Sequence, residues 1–180
     1  NVPAPEMEPH AARLELARRY LHVFGPATPD GFATWAGIGT LAGMEAFTAL
    51  GESLTQVHTP IGEAWILSRD EPLFRSVPGT PAPARLLPSG DTWFLLQGAD
   101  RELLVPEESQ RRALWTSRVW PGALLVEGET VGTWRRAGHM LTIQPWRPLS
   151  SAQRKAVEAE AQSMPLPGID RPMDVRWDYD

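Results

Sequence analysis

The feature that most constrains the fold is a succession of helix and turn signals within residues 20–68. Thr28-Pro29-Asp30 supplies a hydroxyl N-cap, a proline at the first helical position and an acid in the first turn, which together predict a helix start. That short helix ends at Gly37, and a second helix begins two residues later and ends at Gly51. Along one face of the second helix, apolar side chains recur every three residues, at Leu41, Met44, Phe47 and Leu50.

Segments on either side complete a recognisable order of elements. Upstream, Ala11–Phe24 has apolar residues along one side and predicts a first helix. Downstream, Leu54–His58 and Ala64–Leu67 flank a Thr59–Gly62 turn, which predicts a β-hairpin. Three helices followed by a hairpin is the order of a winged helix-turn-helix, in which the last helix enters the major groove of DNA. We therefore expect a winged helix over residues 10–75.

The distribution of charge opposes DNA reading by that helix. Residues 20–68 contain four acids and no Lys or Arg, whereas duplex binding depends on the neutralisation of phosphates. By contrast, residues 111–150 carry six Arg against Glu127 and Glu129, a net charge of +4. We therefore expect any anion-binding face in 111–150. The helix Leu41–Leu50 is expected to pack against another domain.

Composition excludes several classes of function. The chain has no cysteine, and its four His lack the spacing of metal ligands, so we expect neither a metal nor another cofactor. No apolar run approaches the ~20 residues of a membrane span, and no signal peptide is visible, which predicts a cytoplasmic protein without a membrane partner. The proline-rich start, residues 1–9, resembles an interdomain linker. We therefore expect the carboxy-terminal part of a longer protein that contacts upstream domains of the same chain.

The second half predicts a smaller, β-rich module over residues 85–165. Prolines crowd into the preceding stretch and predict a stiff connector over residues 76–84. The module is expected to begin with a short strand at Arg85–Pro88. Three further β-rich runs follow, at Ala123–Val126, Thr130–Arg135 and His139–Gln144.

The chain is predicted to close with a helix. Ser150 and Gln153 fit a capping box, and Pro165 prevents continuation of the helix beyond about Met164. Residues 166–180 form a tail without periodicity. The predicted fold class is α+β: a winged helix-turn-helix followed by a small β-rich module, meander or barrel-like, with a terminal helix.

One segment of the module combines arginines with tryptophans, a pattern that suits phosphate contacts and stacking on bases. The candidate DNA-binding residues are Arg111, Arg112, Trp115, Arg118, Arg135, Arg136 and Arg147. Strand alternation sends Arg135 and Arg136 to opposite faces, so at most one of them shares a surface with a given partner. The alternative is that Trp115, Trp120 and Trp134 fill the core while the arginines are merely solvated.

Two motifs in this half carry a family resemblance. Leu86-Leu87-Pro88 is followed by Asp91 and by Gly98-x-Asp100-Arg101, and Leu124–Trp134 ends in Gly132-Thr133-Trp134. Both motifs resemble those of the winged-helix DNA-binding-domain proteins that include the AlkZ/YcaQ-like DNA glycosylases. The resemblance covers residues 10–165 and represents the carboxy-terminal half of such a protein.

The resemblance implies a role in the repair of alkylated bases or crosslinks. Members carry tandem winged helices, a β-rich carboxy-terminal part and a catalytic Gln-hydrophobic-Gln motif. That triplet does not occur in this chain, and the resemblance would place it upstream. The expected function is therefore a DNA-associated module, non-catalytic by itself, that binds duplex DNA weakly and without sequence preference.

Other interpretations of the same residues stay open. The chain could be a protein–protein or interdomain packing module whose winged helix no longer binds DNA, or, with less support, a stand-alone regulator. The motif carboxylates are also ambiguous. Asp91 or Asp100 could activate water in acid–base hydrolysis, and each could equally cap a turn or pair with a nearby Arg.

Overall fold

A computed structural model of the chain describes residues 6–96, 99–164 and 171–179. By its internal contacts the chain separates into two compact units. Unit 1 comprises residues 1–77 and 95–103, and unit 2 comprises residues 78–94 and 104–180. The fold class is α+β, as the sequence predicts. No helix among the described residues has the length and apolar character needed to cross a membrane.

Unit 1 begins with three helices; the second and third have their ends where the capping signals predict them, and the first begins two residues before the expected Ala11. They are α1 (Pro9–Phe24), α2 (Pro29–Ala36) and α3 (Thr40–Leu50). The Thr28 hydroxyl accepts a hydrogen bond from the Gly31 amide at 3.0 Å, which caps α2. At its other end Gly37 has a φ of 66°, a left-handed conformation that glycine adopts without strain.

A two-stranded antiparallel hairpin follows α3. It consists of β1 (Leu54–Thr59) and β2 (Gly62–Leu67), with Thr59 opposite Gly62 at the turn. Short 3₁₀ turns at Gly51–Ser53 and Ser68–Asp70 flank the hairpin, and α4 (Glu71–Arg75) follows the second turn.

The core of unit 1 is aromatic. Tyr20 of α1 lies between Phe32 and Trp35 of α2, with ring centroids 5.4 and 5.1 Å away. Phe47 of α3 meets Phe32 on one side and Trp65 of β2 edge-on at 6.2 Å. Tilted and edge-to-face rings at these distances attract one another beyond their apolar burial. This cluster holds the three helices and the hairpin together.

Unit 2 is built on one five-stranded sheet, whose strands lie in chain order. They are β3 (Ala84–Leu87), β4 (Gly122–Val126), β5 (Glu129–Ala137), β6 (Met140–Pro145) and β7 (Asp174–Trp177). The first four strands pair antiparallel, and β7 adds to β6 in parallel. Among the described strands the sheet is open, which favours the meander over the barrel.

Both faces of this sheet are covered. On one face, α7 (Ser151–Ser163) packs its Val157 and Ala161 against apolar residues of β3 to β6. The predicted capping box is present, with Ser150 and Gln153 exchanging hydrogen bonds. On the other face, Phe94 and α6 (Glu108–Leu114) cover Ala123 and Leu125. Burial on both faces explains why consecutive residues of β4, and not only alternate ones, are apolar.

The structure differs from the sequence-based expectation in two places. The tail expected over residues 166–180 contains strand β7, whose four residues pair with β6 from Met140 to Ile143. In addition, residues 95–103, expected in the β-rich module, belong to unit 1, and α5 (Asp100–Leu104) begins there. In the first case strand pairing, and in the second contacts such as that of Asp100 with Tyr20, place a segment whose local pattern does not predict its position.

Candidate nucleic-acid interface

Helix α6 presents two of the candidate arginines in different ways. Arg112 is 71% exposed and pairs with Glu108 one turn earlier, at 2.7 Å. Such an exposed pair contributes little to stability, so the Arg112 guanidinium can exchange its partner for a phosphate. Arg111 instead donates hydrogen bonds to the Val105 and Pro106 carbonyls, the first at 2.8 Å. Arg111 therefore fixes the segment before α6 as well as carrying charge.

The two adjacent arginines of β5 lie on opposite faces of the sheet, as alternation predicts. Arg136 stands opposite the buried Leu141, on the face that α7 covers. Arg135 stands opposite Thr142, on the other face, and donates to the Val119 carbonyl at 3.1 Å. Because Val119 lies in the loop after α6, Arg135 shares its face with α6.

The remaining candidate arginines are exposed or only loosely paired. Arg118 lies exposed in the loop between α6 and β4. Arg147 lies 3.7 Å from Glu129, a distance beyond hydrogen bonding. Arg112, Arg118 and Arg135 thus come from a helix, a loop and a strand end on one side of the sheet of unit 2.

The candidate tryptophans are anchored by the protein itself. Trp115 donates its indole N–H to the Phe94 carbonyl at 3.0 Å and stacks on Trp93, with ring centroids 5.2 Å apart. Trp120 donates to the Thr116 carbonyl and stacks on Phe94 at 5.8 Å. These contacts favour the core-filling alternative for the rings and leave exposed arginines such as Arg112 and Arg118 as the groups that can reach a partner.

The motif Gly132-Thr133-Trp134 has a clear packing role. Trp134 donates its indole N–H to the Leu87 carbonyl at 3.0 Å, and its ring lies directly against Gly122, where a methyl group would collide with it. A methyl group at Gly132 would lie 2.8 Å from Pro145 Cα, and Thr133 is buried. The motif therefore sets how closely β5 packs against its neighbours β4 and β6, and it ties β5 to Leu87 of β3.

The other motif separates into residues with different surroundings. Asp91 accepts a hydrogen bond from the Trp93 amide at 2.8 Å and so caps a turn. Asp100 is buried in unit 1, where it accepts a hydrogen bond from the Tyr20 hydroxyl at 3.3 Å. Arg101 donates to the Leu96 carbonyl at 2.7 Å. Gly98 lies outside the described residues.

Burial shifts the pKa values of Asp100 and Arg101, which belong to the motif Gly98-x-Asp100-Arg101, and that of their neighbour Tyr20. Desolvation raises the pKa of Asp100, and the hydrogen bond from Tyr20 opposes that rise only in part. Burial beside the Asp100 carboxylate raises the pKa of Tyr20, and burial lowers the pKa of Arg101. Sequence reasoning missed Tyr20 as a partner of Asp100, since 80 residues separate the two and no local pattern connects them.

Helix α3 presents an apolar outer face. Leu41 is 69% exposed and Met44 is 52% exposed, and the neighbouring exposed positions include Thr40, Glu45 and Thr48. Base reading in the major groove relies mainly on Arg, Lys, Asn and Gln, none of which lies on this helix. Within the described ranges there is also no group of three or more His, Cys, Asp or Glu that could hold a metal ion.

The chain matches a protein-family model over residues 1–165, and that model describes AlkZ-like DNA glycosylases. The chain belongs to this family. The match confirms the resemblance that the two sequence motifs indicate, and it extends across both units.

A curated protein and a solved structure, both from Streptomyces sahachiroi, agree with that membership. The chain is 30% identical over 160 residues to an interstrand DNA cross-link repair glycosylase, covering 86% of this chain and 42% of that protein. It is also similar in fold to the solved structure of the DNA glycosylase AlkZ from the same organism. That match has a TM-score of 0.76 at 24% identity and covers 98% of this chain and 48% of the solved chain. The chain thus spans about half the length of these relatives.

Proposed function

We propose that this chain is a DNA-contacting module of a DNA repair protein of the glycosylase type, acting on alkylated or crosslinked DNA. In this proposal unit 1 is a winged helix and unit 2 is the β-rich module that follows it. The observation that carries the proposal is the common side of Arg112, Arg118 and Arg135 in unit 2, within a family of DNA glycosylases.

The mode of binding follows from the kind of groups that are exposed. The tryptophans are held by carbonyl groups and neighbouring rings, and α3 offers no side chain suited to base edges. Guanidinium groups remain, and they contact phosphates without reading sequence. Binding of this kind is weak, indifferent to sequence and steeply dependent on salt concentration.

Titration of labelled duplex DNA at several salt concentrations tests the proposal. The double variant Arg112→Ala/Arg118→Ala is the sharpest probe, because neither side chain supports the backbone as Arg111 does. The slope of log K against log salt should become shallower by about two units, near 0.9 for each phosphate that is no longer neutralised. The double variant Arg136→Ala/Arg154→Ala is a matched control, because it removes the same two positive charges from the other side of the sheet. Arg136 lies on the face of the sheet that α7 covers, and Arg154 lies on α7 itself.

Equal slopes for the wild-type chain and Arg112→Ala/Arg118→Ala would exclude this face as the DNA-binding surface. A greater reduction of the slope in the control variant would move the binding surface to the face that α7 covers. Circular dichroism and thermal unfolding of each variant establish that the fold is retained.

We propose further that the chain is non-catalytic by itself. The Gln-hydrophobic-Gln motif of the resemblance does not occur in the sequence, and the motif carboxylates are engaged in a turn cap and in the core of unit 1. The purified 180-residue chain should therefore release no free alkylated base from alkylated DNA. Release above a no-enzyme control, measured by chromatography of the free base, would contradict this.

The exposed face of α3 favours a second candidate, an interdomain packing module that no longer binds DNA. Leu41 and Met44 present apolar surface where a DNA-reading helix would present polar groups. The two candidates differ in one measurement. A DNA-contacting module binds duplex through the arginine face of unit 2, whereas a packing module shows no salt-dependent binding of duplex at any concentration tested.

A further inference from the structure

Unit 1 contains an open cavity of about 310 Å³ close to the base of its hairpin. Its lining residues come from α1, from the end of β2 and from the two 3₁₀ turns beside the hairpin, which contact each other. They are Arg18, Ser53, Leu67, Ser68 and Arg69. Two guanidinium groups and two hydroxyl groups therefore surround a floor formed by the buried Leu67.

The two guanidinium groups are only loosely engaged within the described structure. Arg18 lies 3.8 Å from the Glu15 carboxylate, and Arg69 lies 3.7 Å from that of Asp70. Both distances exceed hydrogen-bond length, and both arginines are at least 40% exposed.

Each nearby carboxylate has another, closer partner. Glu15 accepts a hydrogen bond from Arg19 at 2.9 Å, and that bond is the main cause of its lowered pKa. Asp70 contacts His22 Nδ1 at 2.8 Å. The shortest contacts of both carboxylates are therefore with Arg19 and His22, which do not line the cavity. Glu15 and Asp70 attract Arg18 and Arg69 only at longer range, which leaves the donors of both guanidinium groups within reach of a ligand.

The hydroxyl groups add a polar rim. Ser68 Oγ accepts a hydrogen bond from Thr55 at 3.0 Å and donates to the Glu52 carbonyl at 3.2 Å, so its position is fixed. The exposed Ser53 hydroxyl makes no hydrogen bond to any described residue. One free hydroxyl and two guanidinium forks are the donors that a tetrahedral oxyanion uses.

The positions of Arg18 and Arg69 in the sequence make this cavity unusual within unit 1. Residues 20–68 contain no Lys or Arg, and Arg18 and Arg69 lie just beyond the two ends of that segment. Folding of α1 against the hairpin brings them to one cavity. The unit that lacks basic residues over 49 consecutive positions thus acquires a paired arginine site from its boundaries.

We infer that this cavity binds a phosphate group through Arg18, Arg69 and Ser53. Two sources supply this chemistry, the backbone of a nucleic acid and a free phosphorylated small molecule. The site lies in unit 1 and involves none of the arginines of unit 2, so it is additional to the binding surface proposed above. Only the nucleic-acid source rests on the proposed function.

Titration with inorganic phosphate tests the site directly. Heteronuclear NMR of the full chain should show shifts that saturate in the side-chain Nε–Hε signals of Arg18 and Arg69 and in the Ser53 amide. Sodium chloride at matched ionic strength should not produce them. The variant Arg18→Gln/Arg69→Gln should weaken phosphate binding by about tenfold or more, as expected when charged hydrogen bonds are removed.

The control variant is Arg13→Gln/Arg75→Gln, which removes the same charge from unit 1. Arg13 lies on α1 and Arg75 on α4, and neither lines the cavity. This variant should bind phosphate like the wild-type chain. The single variant Ser53→Ala, at an exposed hydroxyl, gives a second test in case the double variant unfolds, and it should weaken phosphate binding by a smaller factor.

Titration of duplex DNA distinguishes the two sources. If a nucleic-acid phosphate occupies the site, Arg18→Gln/Arg69→Gln should reduce the salt slope by about one unit, the value for one phosphate. If the variant weakens phosphate binding and leaves DNA binding unchanged, the ligand is a small phosphorylated molecule. Shifts that never saturate, or equal phosphate affinity of wild type and the Arg18/Arg69 variant, would overturn the inference, whatever the outcome for the arginines of unit 2.

Discussion

The two units bury their motif residues in contrasting ways. Unit 1 encloses Asp100, a group that can ionise, and offers it the Tyr20 hydroxyl. Unit 2 holds Trp134 against Gly122, a neutral contact whose single polar atom is satisfied by the Leu87 carbonyl. The stability of unit 1 should therefore respond to pH and to the removal of a hydrogen bond, whereas that of unit 2 should respond to shape.

The units also differ in how they acquire positive charge. In unit 2 the arginines of the proposed DNA-binding face, Arg112, Arg118 and Arg135, come from one stretch of sequence, residues 111–150, and lie on α6, the following loop and β5. In unit 1 the corresponding groups, Arg18 and Arg69, come from beyond both ends of a stretch without basic residues. A positive face whose arginines lie close together in the sequence can be predicted without the structure. A pair of arginines that only the fold brings together cannot.

The largest expected effect tests the dependence of unit 2 on shape. Gly122→Ala places a methyl group into the Trp134 ring and 2.7 Å from the Leu87 carbonyl oxygen. Because backbone and a packed indole cannot both retreat, the free energy of unfolding should fall by about 3 kcal/mol. Hydrogen exchange followed by mass spectrometry should show reduced protection in peptides of β3, β4 and β5. Unchanged protection there would show that the sheet tolerates the extra volume.

A smaller destabilisation is expected when the hydrogen bond of unit 1 is removed. Tyr20→Phe keeps the aromatic contacts with Phe32 and Trp35 but leaves the buried Asp100 carboxyl without its donor. The free energy of unfolding should fall by about 1–3 kcal/mol, measured by urea denaturation. The matched control is Tyr179→Phe, at an exposed tyrosine of unit 2, which should change stability little.

The third prediction concerns pH and separates the units most clearly. Desolvation raises the pKa of Asp100 in the folded chain above its ordinary value near 3.8, so the folded state binds the proton more tightly. The contribution of the Asp100 carboxyl to the free energy of unfolding is therefore fully present below pH 3.8. It disappears as the pH rises through the higher pKa that this group has in the folded chain. Asp100→Asn cannot ionise and should not show that decline.

Comparison of the two chains by urea denaturation at several pH values isolates the effect. The stability of Asp100→Asn relative to wild type should increase from about pH 4 upward, by at most about 1.4 kcal/mol per pH unit. Asp91→Asn is the control in unit 2, since Asp91 caps a half-buried turn and is not enclosed in a core. A relative stability of Asp100→Asn that falls with rising pH would mean that the carboxylate is stabilised where it lies.

The smallest effect is expected at α3. Thr40→Ala/Thr48→Ala removes the exposed hydroxyls of this helix, and its apolar neighbours Leu41 and Met44 offer nothing to a base edge. Duplex affinity and its salt slope should not change, as measured by anisotropy. Abolished binding in this variant, with Arg112→Ala/Arg118→Ala neutral, would show that α3 reads DNA and that the charge argument is wrong.

Local signals predicted the elements well where capping and periodicity act within a few residues. Thr28 and Ser150 cap their helices as expected, and the turn between β1 and β2 lies at its predicted position. Strand β7 was missed because four residues cannot display a convincing period. They become a strand only through pairing with β6.

In the candidate site, too, local patterns predict the features that depend on neighbouring residues and fail for those that depend on distant ones. The opposite directions of Arg135 and Arg136 follow from strand alternation alone. The difference between Arg111 and Arg112 does not, because it depends on which carbonyl groups lie within reach of each guanidinium. The stacking of Trp115 on Trp93 likewise depends on how the chain before α6 folds back.

By itself the sequence determined the α+β class, the order of the helices and hairpin, the family and the contrast in charge between residues 20–68 and 111–150. Each of these follows from local interactions or from patterns that are visible along the chain without knowledge of the fold. Only the tertiary structure decided that Asp100 lies beside Tyr20 and that Arg18 and Arg69 share a cavity. Those pairs join residues about 50 to 80 positions apart, where apolar packing and not local preference sets which side chains meet.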